Sequence, residues 1–134
     1  VVGFTYNEVS RRYVDDDPEF FTPDTWRSRP EGSVKQGSGT GEITTLEGSG
    51  YPIVEEHEEF IFIAKDLYID MLESNVAPEQ ARMVLPQSMY TSYYVTGSLA
   101  AWQRAYAQRS DAHAQLEIQE LAKQWKQLIP ELDQ

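Results

Sequence analysis

The stretch Asn7-Glu8-Val9-Ser10-Arg11-Arg12 gathers an amide, a carboxylate, a hydroxyl and two guanidinium groups within six residues. In extended backbone alternate side chains share a face, so Glu8, Ser10 and Arg12 would point the same way. Such a face accepts from a ribose hydroxyl and donates to a phosphate, but it equally describes the polar outer face of an edge strand. Seven of the eleven basic residues are arginines: Arg11, Arg12, Arg27, Arg29, Arg82, Arg104 and Arg109. A guanidinium offers a planar fork that fits phosphate or carboxylate and stays charged throughout the physiological range. The chain carries a net charge of −11. A small anion would therefore need several arginines gathered in one place to overcome the general repulsion. Surface ion pairing with the 22 acidic residues is the competing account of each arginine taken singly.

Other candidates are weaker. His57 and His113 are the only histidines, and neither has the spacing of a zinc pattern, so no metal is expected. Gly37-Ser38-Gly39-Thr40-Gly41 looks superficially like a phosphate loop, yet no helix pattern follows at the required distance. Tyr90, Tyr93 and Tyr94 offer flat rings to stack on a heterocycle, or simply core material for a strand. Cysteine is absent, which excludes disulfides, thiolate metal sites and a cysteine nucleophile. The acidic balance argues against a general nucleic-acid surface. The longest apolar run, Phe60 to Ala64, is far short of a membrane span.

The elements that must position these groups read as follows. The length of 134 residues fits one domain, 1–134, and 40% apolar content fits a folded one. Residues 1–14 read as a strand entering a turn at Asp15-Asp16-Asp17-Pro18, and Phe20-Phe21 as a short extended piece. Six of the eight glycines fall between Gly32 and Gly50, so 32–50 is expected to be a flexible Gly-rich loop. A helix is expected from Pro52 to Ser74, with an apolar stripe Phe60, Ala64, Leu67, Met71 widened by Ile61, Tyr68 and Leu72. Pro78 suits the first position of a short helix that Pro86 limits. Residues 88–96 read as a strand. Ser98 caps a helix through Gln108 or Arg109. Ser110-Asp111 caps a last helix with the stripe Ala114, Ile118, Leu121, Trp125, Leu128, ending at Pro130. The expected class is α+β, short strands with a long helix and C-terminal helices packed on one side.

Three ordered blocks carry a resemblance. Ser10-Arg11-Arg12-Tyr13 reproduces S-x-R-Y, Ala81-Arg82-Met83-Val84-Leu85-Pro86 reproduces A-R-x-x-L-P, and Arg109 to Gln115 reproduces R-x-D-x-H-A-Q. Together these resemble the flavin-dependent thymidylate synthases, whose signature is RHR, seven residues, then S-x-R-Y. Lys35-Gln36-Gly37-Ser38 is similar to a stretch of some bacterial and phage members. Counted back from Ser10, the second and third positions of RHR fall on Val1 and Val2. The chain is accordingly expected to be the core and C-terminal portion of a longer protein.

The resemblance implies the family's fold and a homotetramer with shared active sites, in the cytoplasm of a bacterial cell or phage-infected host. It implies FAD as cofactor, dUMP as substrate, and NADPH and methylenetetrahydrofolate as co-substrates in a methyltransferase reaction forming dTMP. That reaction uses no enzyme nucleophile, which agrees with the missing cysteine. Residue by residue, Glu8, Ser10, Arg11 and Arg12 would lie along dUMP, with Arg11 acting through its backbone and Glu8 also approaching FAD. Arg82 would contact dUMP from a second direction. Arg109 would be the catalytic residue, lying against the pyrimidine and favouring its ionised form. Flavin contacts would fall on Ser98, Leu99, Ala100 and Arg104. Common members carry Asn and Arg at the first and third of these and Asn at the fourth, so backbone contacts are expected there instead. Two other readings stand beside this one: a non-catalytic nucleotide-binding module with an arginine cradle, and an oligomerising scaffold whose arginines bridge subunits to the acidic helix.

Overall fold

The computed structural model describes residues 2–8, 17–32 and 37–133. In chain order these form strand β1 (Phe4–Glu8), helix α1 (Ile53–Glu73), helix α2 (Pro78–Ala81), strand β2 (Tyr93–Gly97), helix α3 (Leu99–Arg109) and helix α4 (Leu116–Leu128). Single 3₁₀ turns at Arg82–Val84 and Pro130–Asp133 follow α2 and α4. β1 and β2 pair as a two-stranded sheet, so the class is α+β. Among the described residues no helix is long and apolar enough to cross a membrane. Internal contacts divide the chain into two compact units. The first is Val1–Asn7, Arg27–Glu42 and Tyr94–Gln134; the second is Glu8–Trp26 and Ile43–Tyr93.

The first unit is built on close approach. Gly97 lies under the Phe4 ring, and a Cβ there would meet ring carbons at 2.7 Å. Gly3 adopts φ +95°, and its missing Cβ would stand 3.1 Å from the Ala101 Cβ. The start of β1 can therefore press against α3. Phe4 meets Trp102 edge-on at 4.8 Å between centroids, and Trp102 meets Trp125 at 5.2 Å and 74°. Each such pair adds about 0.5–1.5 kcal/mol beyond its buried area. Beneath the rings Ala101, Ala105 and Ala122 are buried, a seam of small residues that lets α3 and α4 pack closely. Leu132 of the last 3₁₀ turn closes the end.

The last helix begins later than its stripe suggests. Ser110 ends α3 instead of starting α4, donating its hydroxyl to the Tyr106 carbonyl at 2.8 Å. Asp111 spends its carboxylate locally, accepting from the His113 N–H at 2.8 Å and facing His113 Nδ1 at the same distance. This holds the Asp111 carboxyl below its ordinary pKa, first through the backbone bond and then through the side-chain one. Helix geometry resumes only after Gln115. Ala122, not Leu121, occupies the centre of the buried line, and Leu128 is exposed.

In the second unit α1 spans Ile53–Glu73 with Pro52 and Ser74 as its flanking caps, matching the expected bounds. Ala64 and Tyr68 are buried, with Ile61, Met71 and Leu72 half-buried beside them. The expected stripe is rotated: Phe60 and Leu67 are 59% and 47% exposed, as Ile63 is at 56% and Phe62 at 69%. Trp26 packs edge-on against His57 at 5.1 Å. Pro78 takes the first position of α2, and Ala81 is fully buried. The strand read over 88–96 is confined to Tyr93–Gly97, and Tyr90 lies outside it. Met89 instead forms an antiparallel bridge with Phe20, the short extended piece expected there.

Candidate nucleotide and cofactor site

Ser10, Arg11 and Arg12 lie outside the described residues. Glu8 closes β1 and is exposed; its Oε1 accepts from the Thr91 hydroxyl at 2.9 Å. Arg82, also in the second unit, opens the 3₁₀ turn after α2. Its Nε reaches the Glu79 carbonyl at 3.3 Å, which orients the head and leaves its charge uncompensated by any described carboxylate. Lys65 and Asp17 form the unit's described ion pair at 2.9 Å.

The remaining candidates share one helix of the first unit. Ser98 is the N-cap of α3, and its Oγ accepts from the Ala101 N–H at 3.2 Å. That hydroxyl is thereby committed to the helix. Leu99 and Ala100 have no side-chain donor, but their amides are the first two of the helix and have no intrahelical acceptor. Arg104 lies about one turn further on and donates to the Val2 carbonyl at 3.3 Å. It thus meets the residue on which the third position of RHR falls. Two free amides at the positive end of an eleven-residue helix, with a guanidinium a turn away, form a donor set that fits phosphate oxygens.

Arg109 is the last residue of α3, exposed, and without a hydrogen bond or ion pair to any described residue. It stands five positions from Arg104, so α3 presents the two guanidiniums on different faces. Of the five described arginines, Arg27 alone has a carboxylate partner, with Nη2 at 2.5 Å from Glu117 Oε1. This bond holds the Glu117 carboxyl below its ordinary pKa. The Arg27 Nε also donates to Ser38 Oγ at 2.6 Å.

Sequence reading left Arg27 and the glycine loop without a task. In the structure residues 26–28 and 39–43 are laced by backbone bonds, Gly39 to Ser28 at 2.8 Å and Ser28 to Gly41 at 2.7 Å. A Cβ on Gly39 would stand 2.4 Å from Ser28 Oγ and 2.5 Å from the Arg29 carbonyl oxygen. That glycine marks close backbone approach, a signal visible in the glycine spacing although its partner strand was not. Among the described residues no group of three His, Asp or Glu could hold a metal ion.

A sequence model of the thymidylate synthase complementing proteins matches residues 2–132. That match defines the class. The chain is 37% identical over 116 residues to a flavin-dependent thymidylate synthase of Kosmotoga olearia, spanning 87% of this chain and 49% of that protein. It is 32% identical over 142 residues to one of Tropheryma whipplei, spanning 95% and 57%. The chain belongs to the flavin-dependent thymidylate synthase family. It spans about half the length of the curated relatives it matches. A crystal structure of the UMP/dUMP methylase PolB from Streptomyces cacaoi, bound with 5-Br UMP, superposes with a TM-score of 0.72 at 25% identity. The match covers 98% of this chain and 61% of that one.

Proposed function

We propose that the protein reductively methylates dUMP to dTMP, with methylenetetrahydrofolate as carbon donor and NADPH as reductant, through FAD. The observation that carries this reading is the contrast among the arginines. In a chain of net charge −11, Arg82, Arg104 and Arg109 meet no described carboxylate, whereas Arg27 does. Uncompensated guanidiniums in an acidic chain are the arrangement a small anionic substrate requires. The positions of Arg82 in the A-R-x-x-L-P segment and Arg109 in the R-x-D-x-H-A-Q segment support reading these two on dUMP.

FAD, when bound, supplies the redox chemistry. The Leu99 and Ala100 amides and the Arg104 guanidinium would hold it, and Glu8 is the further residue read toward it. Glu8, Ser10, Arg11, Arg12 and Arg82 orient dUMP. Arg109 holds the negative charge of the ionised pyrimidine, a task suited to a group that stays protonated. Assembly as a homotetramer with shared sites belongs to the same reading, and the exposed apolar residues Phe60, Phe62, Ile63 and Leu67 of α1 offer surface for a partner to cover. The cytoplasm, where these co-substrates circulate, is the proposed location.

Two measurements test the reading: the flavin absorbance of the protein after addition of FAD, and tritium release from carbon five of labelled dUMP. A yellow protein that releases tritium is expected. Binding of dUMP with neither flavin uptake nor release would replace the enzyme by a nucleotide-binding module.

A further inference from the structure

Glu8 and Thr91 stand 83 positions apart, yet the Thr91 hydroxyl donates to Glu8 Oε1 at 2.9 Å. Both residues belong to the second unit, and among the described residues Thr91 is the one hydrogen-bond partner of the Glu8 carboxylate. Both are exposed, so the bond is not a by-product of core packing. An exposed glutamate otherwise turns about three side-chain torsions, and a ligand that needs it in one orientation pays for that freedom.

The donor is held more firmly than the acceptor. The Tyr90 amide donates to the Glu19 carbonyl and the Phe21 amide to the Ser88 carbonyl, each at 2.8 Å. The segment entering Thr91 is thus tied to the chain beside it, and the Tyr90 ring adds an edge-on contact with Phe21 at 6.3 Å between centroids. Threonine is stiff about its first side-chain torsion, which keeps the hydroxyl aimed. The same segment leads back to Arg82. The Met89 amide donates to the Pro86 carbonyl at 3.1 Å, and the Leu85 amide to the Arg82 carbonyl at 3.2 Å. Thr91 therefore joins Glu8 to the stretch that carries Arg82, the other described residue of this unit read on dUMP.

An ionised carboxylate only accepts, and Thr91 takes one of its two oxygens. The other, Oε2, meets no described donor. The sugar of dUMP carries a single hydroxyl, at carbon three, and it is a donor of the kind this oxygen accepts. We propose that Thr91 is a positioning residue, aiming the Glu8 carboxylate so that Oε2 accepts from the sugar hydroxyl of dUMP. The inference rests on the reading of Glu8 as a dUMP ligand given above. Thr91 itself touches no substrate; it orders Glu8 before the nucleotide arrives, so that less freedom is lost on binding.

The test measures dUMP affinity by calorimetry and turnover by tritium release, on protein supplied with FAD, beside the affinity of the 3′-deoxy analogue of dUMP. Thr91→Val keeps the shape and removes the donor. It should weaken dUMP binding about fivefold, change kcat less than about twofold, and leave the affinity of the analogue unchanged. Thr91→Ser restores a hydroxyl and should recover most of the loss. In a Glu8→Ala background, Thr91→Val should have no further effect. Unchanged dUMP affinity in Thr91→Val overturns the proposal. Equal weakening of dUMP and its analogue, or no recovery with serine, makes Thr91 a structural tie and overturns it as well. Binding of dUMP without tritium release removes the reaction alone, since the affinities still decide the role of Thr91. A wild type that binds no dUMP removes the task of Glu8, and the proposal with it.

Discussion

The α3–α4 pair and α1 have equally clear helical patterns and opposite fates. Along α3 and α4 the buried positions are alanines, covered by the Phe4, Trp102 and Trp125 rings, and the connection is bonded to itself through Ser110, Asp111 and Gln119. Along α1 the large residues Phe60, Phe62, Ile63 and Leu67 remain exposed, and only Ala64 and Tyr68 are buried. A helical stripe therefore marks a face that can be buried, and packing within this chain uses only part of it. The first unit buries a seam of alanines beneath its aromatic rings, while Leu128 stays outside. The second leaves large apolar residues of α1 uncovered.

The strongest way to break this contrast is to overfill the alanine seam. Ala122→Leu adds three carbons where nothing is exposed, and should cost about 2–3 kcal/mol, read as a lower denaturation midpoint with an unchanged denaturant slope. The paired experiment on α1 is Ile63→Ser. It should leave the midpoint of the dissociated chain within about 0.5 kcal/mol while reducing the assembled mass in sedimentation. Equal losses of stability in both variants would mean that the exposed α1 residues are packed within the chain after all.

Gly97→Ala probes the same unit one layer further out. The new methyl would stand 2.7 Å from two Phe4 ring carbons and 3.2 Å from the Gly3 carbonyl oxygen, so Phe4 must leave its contact with Trp102. A loss of about 1–2 kcal/mol is expected, with a change in tryptophan fluorescence, because the indole of Trp102 loses its neighbour. A stability loss without a spectral change would place the strain in the backbone instead of the aromatic stack.

These positions also show what could be read in advance. Signals held within a few residues translated directly: Pro52 and Ser74 flank α1, Pro78 opens α2, and Ser98 caps α3 with its own hydroxyl. Readings that needed a partner from elsewhere failed in a definite direction. Periodicity showed that α1 and α4 were amphipathic, but two flanks of α1 were apolar, and only packing selected the Ile61, Ala64, Tyr68 side. In α4 volume mattered more than hydrophobicity, since the close seam accepts Ala122 and leaves Leu121 partly outside. Asp111 looked like a cap and became a turn, because its nearest amide, that of His113, reached the carboxylate before any helix formed. The candidate site divides similarly. Arg82 and Arg109 were named through family motifs, whereas Arg27 meets a glutamate 90 positions away, which no local spacing reveals.

Ser98→Ala tests a locally encoded part of the first unit, and its effect should be smaller. The Ala101 amide loses its side-chain acceptor but keeps the Ser98 carbonyl at 3.0 Å, so about 1 kcal/mol or slightly less is expected in thermal melts. Flavin affinity should change little, because the proposed contacts at this helix end are the Leu99 and Ala100 amides. A large drop in flavin uptake with a small change in melting would instead make the hydroxyl itself a ligand.

The smallest effect is the long-range pair. Glu117 is held below its ordinary pKa of 4.5, chiefly by the hydrogen bond from Arg27, so the folded state favours its ionised form. A carboxyl depressed on folding contributes stability above its unfolded pKa and loses it as pH falls through the lower folded value. Wild type should therefore exceed Glu117→Gln in stability at neutral pH, with the difference vanishing in acid below the ordinary carboxylate range. The Glu117 side chain is 49% exposed, which limits the contribution to about 0.5 kcal/mol, and added salt should shrink it further. Arg27→Gln should mimic the loss at neutral pH, and the double variant should lose no more than either single one. If the single losses simply add, Arg27 and Glu117 act independently. The laced loop would then be held by its Ser28 backbone bonds alone.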